Sequence, residues 1–227
     1  MTQEYKVISN PHNPLCGKSY EEVKEVVGKD GWSIMYVNEQ TEELCKLAVQ
    51  QNGYALKYVK NQTEEICRLA IQSDWNAIQW VKEPTDELHR LAIQEDGLAL
   101  QYVKNQTEEL CKLAVQQNGY SLQFIENPTD ELCKIAVQQN GHALQFIENP
   151  TDELCKIAVQ QNGYALYWVN DQTEELCRLA VQQDGRALWY VKNQTEELRE
   201  LATQQNGRVL MRVKIQTYGQ YKPGVKP

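Results

Sequence analysis

An all-α solenoid is the fold class this sequence predicts, and three observations predict it. A threonine followed by two acidic residues recurs at Thr41, Thr63, Thr85, Thr107, Thr129, Thr151, Thr173 and Thr195, each 22 residues after the last. Each threonine opens a stretch with apolar residues at helical spacing, which runs to a glycine column filled in eight of nine units. The frame admits no insertion: Glu126 to Gly141 and Glu148 to Gly163 spell the same sixteen residues, ENPTDELCKIAVQQNG. Self-similarity at such a period marks small units stacked in an array.

Counting back one period reaches Ser19, so nine helix-turn-helix units run over residues 19–216. Residues 1–18 form an N-terminal extension in which Val7 to Gly17 resembles a decayed half-repeat, its helix cut short by Pro14 and Gly17. Residues 217–227 have no period and read as a loose C-terminal tail. In residues 127–148, Asn127 is placed to cap a helix, Pro128 suits its first position, and Asp130 falls at its third. Where glutamine replaces the proline, the same cap serves. Leu132, Ile135, Ala136 and Gln139 then follow the i, i+3, i+4, i+7 rule, and Asn140-Gly141 supplies a left-handed stop. The remaining HALQFI fits a second helix of about six residues. A leucine-rich-repeat-like α/β solenoid, with a strand in that place, is the alternative. Ala-Leu in place of alternating β-branched residues favours the helix. Trp75 occupies the glycine column, where a left-handed conformation is costly, so a shifted turn and a local kink are expected there.

One unit buries too few side chains to offset the entropy of ordering it, whereas stacking makes a continuous core. Core columns turn polar at the ends, with Glu22 and Glu25 in the first unit and Arg199, Thr203 and Arg212 in the last. Such units cap an array, which argues for a monomer or lateral dimer over a filament.

The chain is 41% hydrophobic and 24% charged, with a formal net charge of −8. No apolar run is long enough for a membrane span and no signal-peptide layout is visible. A reducing, cytoplasmic setting with free thiols is therefore expected for the seven cysteines. The negative balance argues against nucleic acid. Sixteen of the 31 acids are the pairs after each threonine, where anions oppose the helix dipole. Cys45, Cys67, Cys111, Cys133, Cys155 and Cys177, with His89 in the same column, read as small core residues and not as metal ligands, because helices stack far wider than a zinc site. The alanine column from Ala48 to Ala202 reads as close helix packing, and the aromatic column from Tyr36 to Tyr190 as inter-repeat packing in preference to base stacking. No nucleophile–base constellation, phosphate loop or metal spacing appears, so no catalytic residue, cofactor or metal is assigned and the chain is read as a non-enzyme.

The columns that vary are more informative. The exposed position of the second segment runs Met35, Lys57, Gln79, Gln101, Gln123, Gln145, Tyr167, Trp189, Met211, and the position after the glycine includes Tyr164, Arg186 and Arg208. Tyr164, Tyr167, Arg186, Trp189, Arg208 and Met211 have the composition of a protein-binding hot spot. The expected function is a repeat scaffold that binds another protein. A structural or self-associating protein is the first alternative and a single-stranded nucleic-acid binder the second.

The motif L-C-K/R-L/I-A-V-Q-Q-N-G-Y-A-L-x-Y/F-V, recurring over residues 19–216, resembles the tandem 22-residue repeat proteins of unknown function that abound in giant viruses of amoebae. The resemblance implies a viral protein acting in host cytoplasm on a host or viral partner. It brings no catalytic residue and no established ligand.

Overall fold

The computed structural model describes Lys6–Val7 and residues 13–205 and divides into two compact units, Met1–Gln117 and Asn118–Pro227. The repeat is a ten-residue α-helix followed by a six-residue 3-10 helix. The first unit holds β1 (Lys6–Val7), α1 (Tyr20–Lys29), η1 (Gly31–Tyr36), β2 (Val37–Glu39), α2 (Glu42–Gln51), η2 (Gly53–Tyr58), α3 (Glu64–Ser73), η3 (Trp75–Trp80), α4 (Asp86–Glu95), η4 (Gly97–Tyr102) and α5 (Glu108–Gln117). The second holds η5 (Gly119–Phe124), α6 (Asp130–Gln139), η6 (Gly141–Phe146), α7 (Asp152–Gln161), η7 (Gly163–Trp168), α8 (Glu174–Gln183), η8 (Gly185–Tyr190) and α9 (Glu196–Gln205). Within each unit every α-helix packs on the next α-helix and every 3-10 helix on the next 3-10 helix, as an all-α solenoid requires. Each described second segment, η1 to η8, is a 3-10 helix where the leucine-rich alternative has a strand; β2 follows η1 in the first repeat and forms one short antiparallel pair with β1.

The helix cap lies two residues later than the sequence suggests. Thr129, not Asn127, is the N-cap of α6, and its hydroxyl accepts from Leu132 N at 3.3 Å, which leaves Asp130 at the first helical position. Thr41, Thr63, Thr85, Thr151 and Thr173 cap in the same way. Asparagine and threonine both cap well, so composition alone does not choose between them. A reciprocal capping box forms only at Ser19–Glu22 among the described helices with a cap given.

The glycine column also has a different cause. Among the described residues Gly17, at φ 77°, is the one glycine with positive φ, so Asn140-Gly141 is no left-handed stop. Asn140 is extended; it ends α6 and caps η6, its side chain accepting from His142 N at 3.0 Å. Gly141 is required because the next repeat comes too close. A Cβ there would sit 2.5 Å from Ala158 O, and equivalent clashes arise at Gly31, Gly53, Gly119, Gly163 and Gly185. Trp75 therefore meets no left-handed strain, and η3 starts in the ordinary frame with Asp74 as its cap. The shifted turn expected there does not occur. Its indole packs on Tyr102, ring centres 6.5 Å apart.

Glutamine before the threonine does something that proline cannot. Gln172 Nε2 donates to Leu166 O at 3.1 Å and to Tyr190 O at 2.9 Å, while its Oε1 accepts from Lys192 N at 2.9 Å and from Cys177 Sγ at 3.8 Å. Gln40 and Gln62 bond the corresponding backbone groups of their neighbours. Each glutamine staples two consecutive 3-10 helices, and the joints at Pro84, Pro128 and Pro150 lack that side chain.

Acid pairs are shared out between helices. Lys46 reaches Glu42 on its own helix at 2.9 Å and Glu65 on the next at 2.8 Å; Lys134 reaches Glu153 at 2.9 Å and Lys156 reaches Glu175 at 2.8 Å. The hydrogen bonds from Lys134 and Lys156, and then their charge, hold the Glu153 and Glu175 carboxyls below the ordinary glutamate value. A carboxyl depressed in the folded state stabilises above its unfolded value and loses that contribution as pH falls through the folded value. Thermal melts should therefore fall from pH 5 towards pH 3, and Lys134→Met with Lys156→Met should reduce the slope. An unchanged slope in the double variant would remove the ladder from the account.

The core is formed by most of the columns foreseen, although Ile135 is only half-buried and Gln139 is exposed. Leu132, Cys133, Ala136, Val137, Ala143 and Leu144 of one repeat are all buried, as are their counterparts in the flanking repeats. Ser121 departs from this pattern by standing where six other units carry alanine. It is fully buried, and its Oγ has no hydrogen-bond partner among the described residues. Ser121→Ala is expected to raise stability by about 1 kcal/mol, read from the urea midpoint. A fall in that midpoint would mean the hydroxyl is satisfied.

Candidate functional site

The 3-10 helices carry the columns that vary, and their geometry separates packing from display. After Gly31, Gly119 and Gly163 the next residue meets the aromatic of the following repeat: Trp32 on Tyr58, Tyr120 on Phe146 and Tyr164 on Tyr190, edge-on with ring centres 5.6, 5.9 and 5.7 Å apart. Tyr102 keeps the register where asparagine replaces the first ring, its hydroxyl donating to Asn76 Oδ1 at 3.0 Å. These rings are ladder rungs between repeats, which accounts for an aromatic column without base stacking.

The glutamines of the exposed column are turned back on their own helices. Nε2 of Gln79, Gln101, Gln123 and Gln145 donates to Asn76 O, Leu98 O, Tyr120 O and His142 O, at 3.0 to 3.1 Å. A satisfied amide folded against its backbone offers little to a ligand. Tyr167 breaks that pattern. It is 55% exposed, and its ring stands edge-on to Trp168 at 4.6 Å and to Tyr190 at 5.5 Å.

The structure thus brings Tyr164, Tyr167 and Arg186 of the predicted set together. Arg186 forms a bidentate pair with Asp184, Nε donating to Oδ1 at 3.1 Å and Nη2 to Oδ2 at 2.7 Å, and its guanidinium lies 5.5 Å from the Tyr164 ring centre. That hydrogen bond, followed by partial burial acting the other way, leaves the Asp184 carboxyl below its usual value. Trp189 is half-buried. Arg208 and Met211 lie outside the described residues. Trp168 and Tyr190 complete the cluster, although the sequence places them with the packing column. Trp168 is 37% exposed, whereas its equivalents Tyr102, Phe124 and Phe146 are half-buried, and the sequence column does not show this difference.

The cysteine column behaves as core. Burial pushes the Cys45 thiol up to about 11, and desolvation also raises Cys67, Cys111, Cys133, Cys155 and Cys177. Thiols held protonated are poor nucleophiles and poor ligands. Desolvation lowers the pKa of His89, which favours its neutral form. No group of His, Cys, Asp and Glu among the described residues is arranged to hold a metal ion, and no described helix is long and apolar enough to cross a membrane.

Comparison with known proteins adds one finding. Residues 20–62 and 41–84 match a Domain of unknown function (DUF4116). The two matches overlap over residues 41–62, a single period, so each covers two repeats. The likeness covers α1 to η3 and the turn after it, and does not reach the aromatic cluster. No curated protein and no solved structure matches the chain.

Proposed function

We propose that this chain is a non-enzymatic repeat scaffold that binds another protein through η7 and η8. The observation that carries the reading is the exposed Tyr167–Trp168 pair, braced by Tyr190 and Tyr164, in a unit whose equivalent positions Gln123 and Gln145 are folded back on their own helices. Tyrosine and tryptophan held rigid at a surface supply much contact area for little loss of side-chain freedom. The site is preformed, since Gln172 ties the carbonyls of Leu166 and Tyr190 and so fixes η7 against η8. The partner is a host or viral protein met in the cytoplasm, which suits a chain with buried, protonated cysteines.

Tyr167→Ala is the direct test. The variant should melt within about 2 °C of the parent, because a ring that is mostly in water contributes little to stability. In affinity purification with mass spectrometry from native cells, the variant should lose a protein that the parent retains. Identical protein lists from both chains would end the proposal. A tyrosine-dependent dimer in light scattering would assign the surface to self-association instead.

A further inference from the structure

The molecule contains an internal precedent for what this surface holds, and the inference drawn from it rests on the reading just given. In the first unit Lys57 Nζ lies 4.5 Å from the centre of the Trp80 ring and 5.7 Å from that of Tyr58. Lys57 belongs to the exposed column of one repeat, and Trp80 to the aromatic column of the next. The residue that stands to Trp168 as Lys57 stands to Trp80 is Gln145. Its amide is turned onto His142 O at 3.1 Å, and the Trp168 ring is left 37% exposed. Three residues on, in the turn that follows η7, Asp171 is exposed and has no ion pair among the described residues. The cations nearby are occupied: Arg186 by Asp184, and Lys192 Nζ by Asn170 O at 2.6 Å and Val169 O at 3.5 Å.

We propose that Trp168, with Asp171 in the same turn, seats a lysine or arginine side chain of the partner protein. An indole face attracts a cation through its quadrupole, and an exposed carboxylate with no ion pair adds to that attraction. The same array already satisfies one such ring with its own lysine, and a second with Arg186 over Tyr164. The net charge of −8 favours the approach of a basic segment.

The full chain would be titrated at low salt against labelled octalysine, octaproline and octaglutamate, with fluorescence anisotropy as the readout. Octalysine should bind, and Trp168→Leu should weaken it about fivefold, while Trp168→Phe keeps most of the affinity. Gln145→Lys should weaken it at least as much, because it seats an internal ammonium where Lys57 sits over Trp80. Gln101→Lys adds the same charge in the other unit and should stay within about twofold of the parent. Equal octalysine affinity in the parent and Trp168→Leu overturns the proposal, as does equal weakening by both lysine variants. Trp168-dependent binding of octaproline also overturns it, and would leave the surface as a docking site for an uncharged segment.

Discussion

Gly141→Ala is expected to lower stability by about 3 kcal/mol, towards the upper end for overpacking a close contact. The added methyl would meet Ala158 O at 2.5 Å, and that oxygen cannot retreat freely, because it accepts from Asn162 N at 2.8 Å to close the end of α7. Moving the repeats apart would also stretch the bond from Gly141 N to Gln161 Oε1, now 2.9 Å. None of this cost is conformational, since the glycine has no positive φ. The same substitution should cost more at Gly31, where the contact would be 2.3 Å, and less at Gly185, where it would be 2.8 Å. Urea unfolding of the three variants tests that order. If all three are instead neutral or gain the up to about 1 kcal/mol that an unstrained glycine-to-alanine change brings, the close approach does not govern the column. Trp75 shows that a joint built around a larger residue can exist, but the Gly141 joint is not built that way.

Gln172→Ala should cost about 2 to 3 kcal/mol, because one substitution removes three hydrogen bonds to backbone groups at a part-buried joint. The loss should appear locally. The Lys192 amide, which donates to Gln172 Oε1, should exchange with solvent at least about tenfold faster, while the Lys82 amide, held by Gln62, keeps its protection. Gln172→Pro should release the same amide while giving the chain the residue found at Pro150. A stability change under about 0.5 kcal/mol in Gln172→Ala would show that water replaces the side chain without penalty.

Much of this architecture is legible in the sequence because it repeats. The period, the two helical segments, the core columns and the core role of the cysteines all follow from spacing. What spacing does not carry is which of two adequate groups acts. Asn127 and Thr129 are both good caps, and only the backbone path selects the threonine. Asn-Gly spells a left-handed stop as readily as it spells an extended cap followed by a close contact. A six-residue segment is too short for its apolar pattern to distinguish a 3-10 helix from an α-helix. Gln172 looks like a neutral replacement for proline until the chain returns 18 residues later and presents Tyr190 O. The candidate surface was half legible for a related reason. Tyr167 stands out from a glutamine column, whereas Trp168 resembles its half-buried equivalents until its own exposure is seen.

The joints between repeats are written largely in main-chain atoms. Gln172 grips carbonyls and an amide, Gln161 grips the Gly141 amide, and each packed glycine faces an alanine carbonyl. A neighbour of almost any identity presents the same atoms, so these joints do not depend on which side chains the outward positions carry. Lysine, glutamine, tyrosine and tryptophan can therefore trade places there on an unaltered frame. A solenoid of this kind can acquire a new recognition surface by a few outward substitutions, without renegotiating how its units hold together.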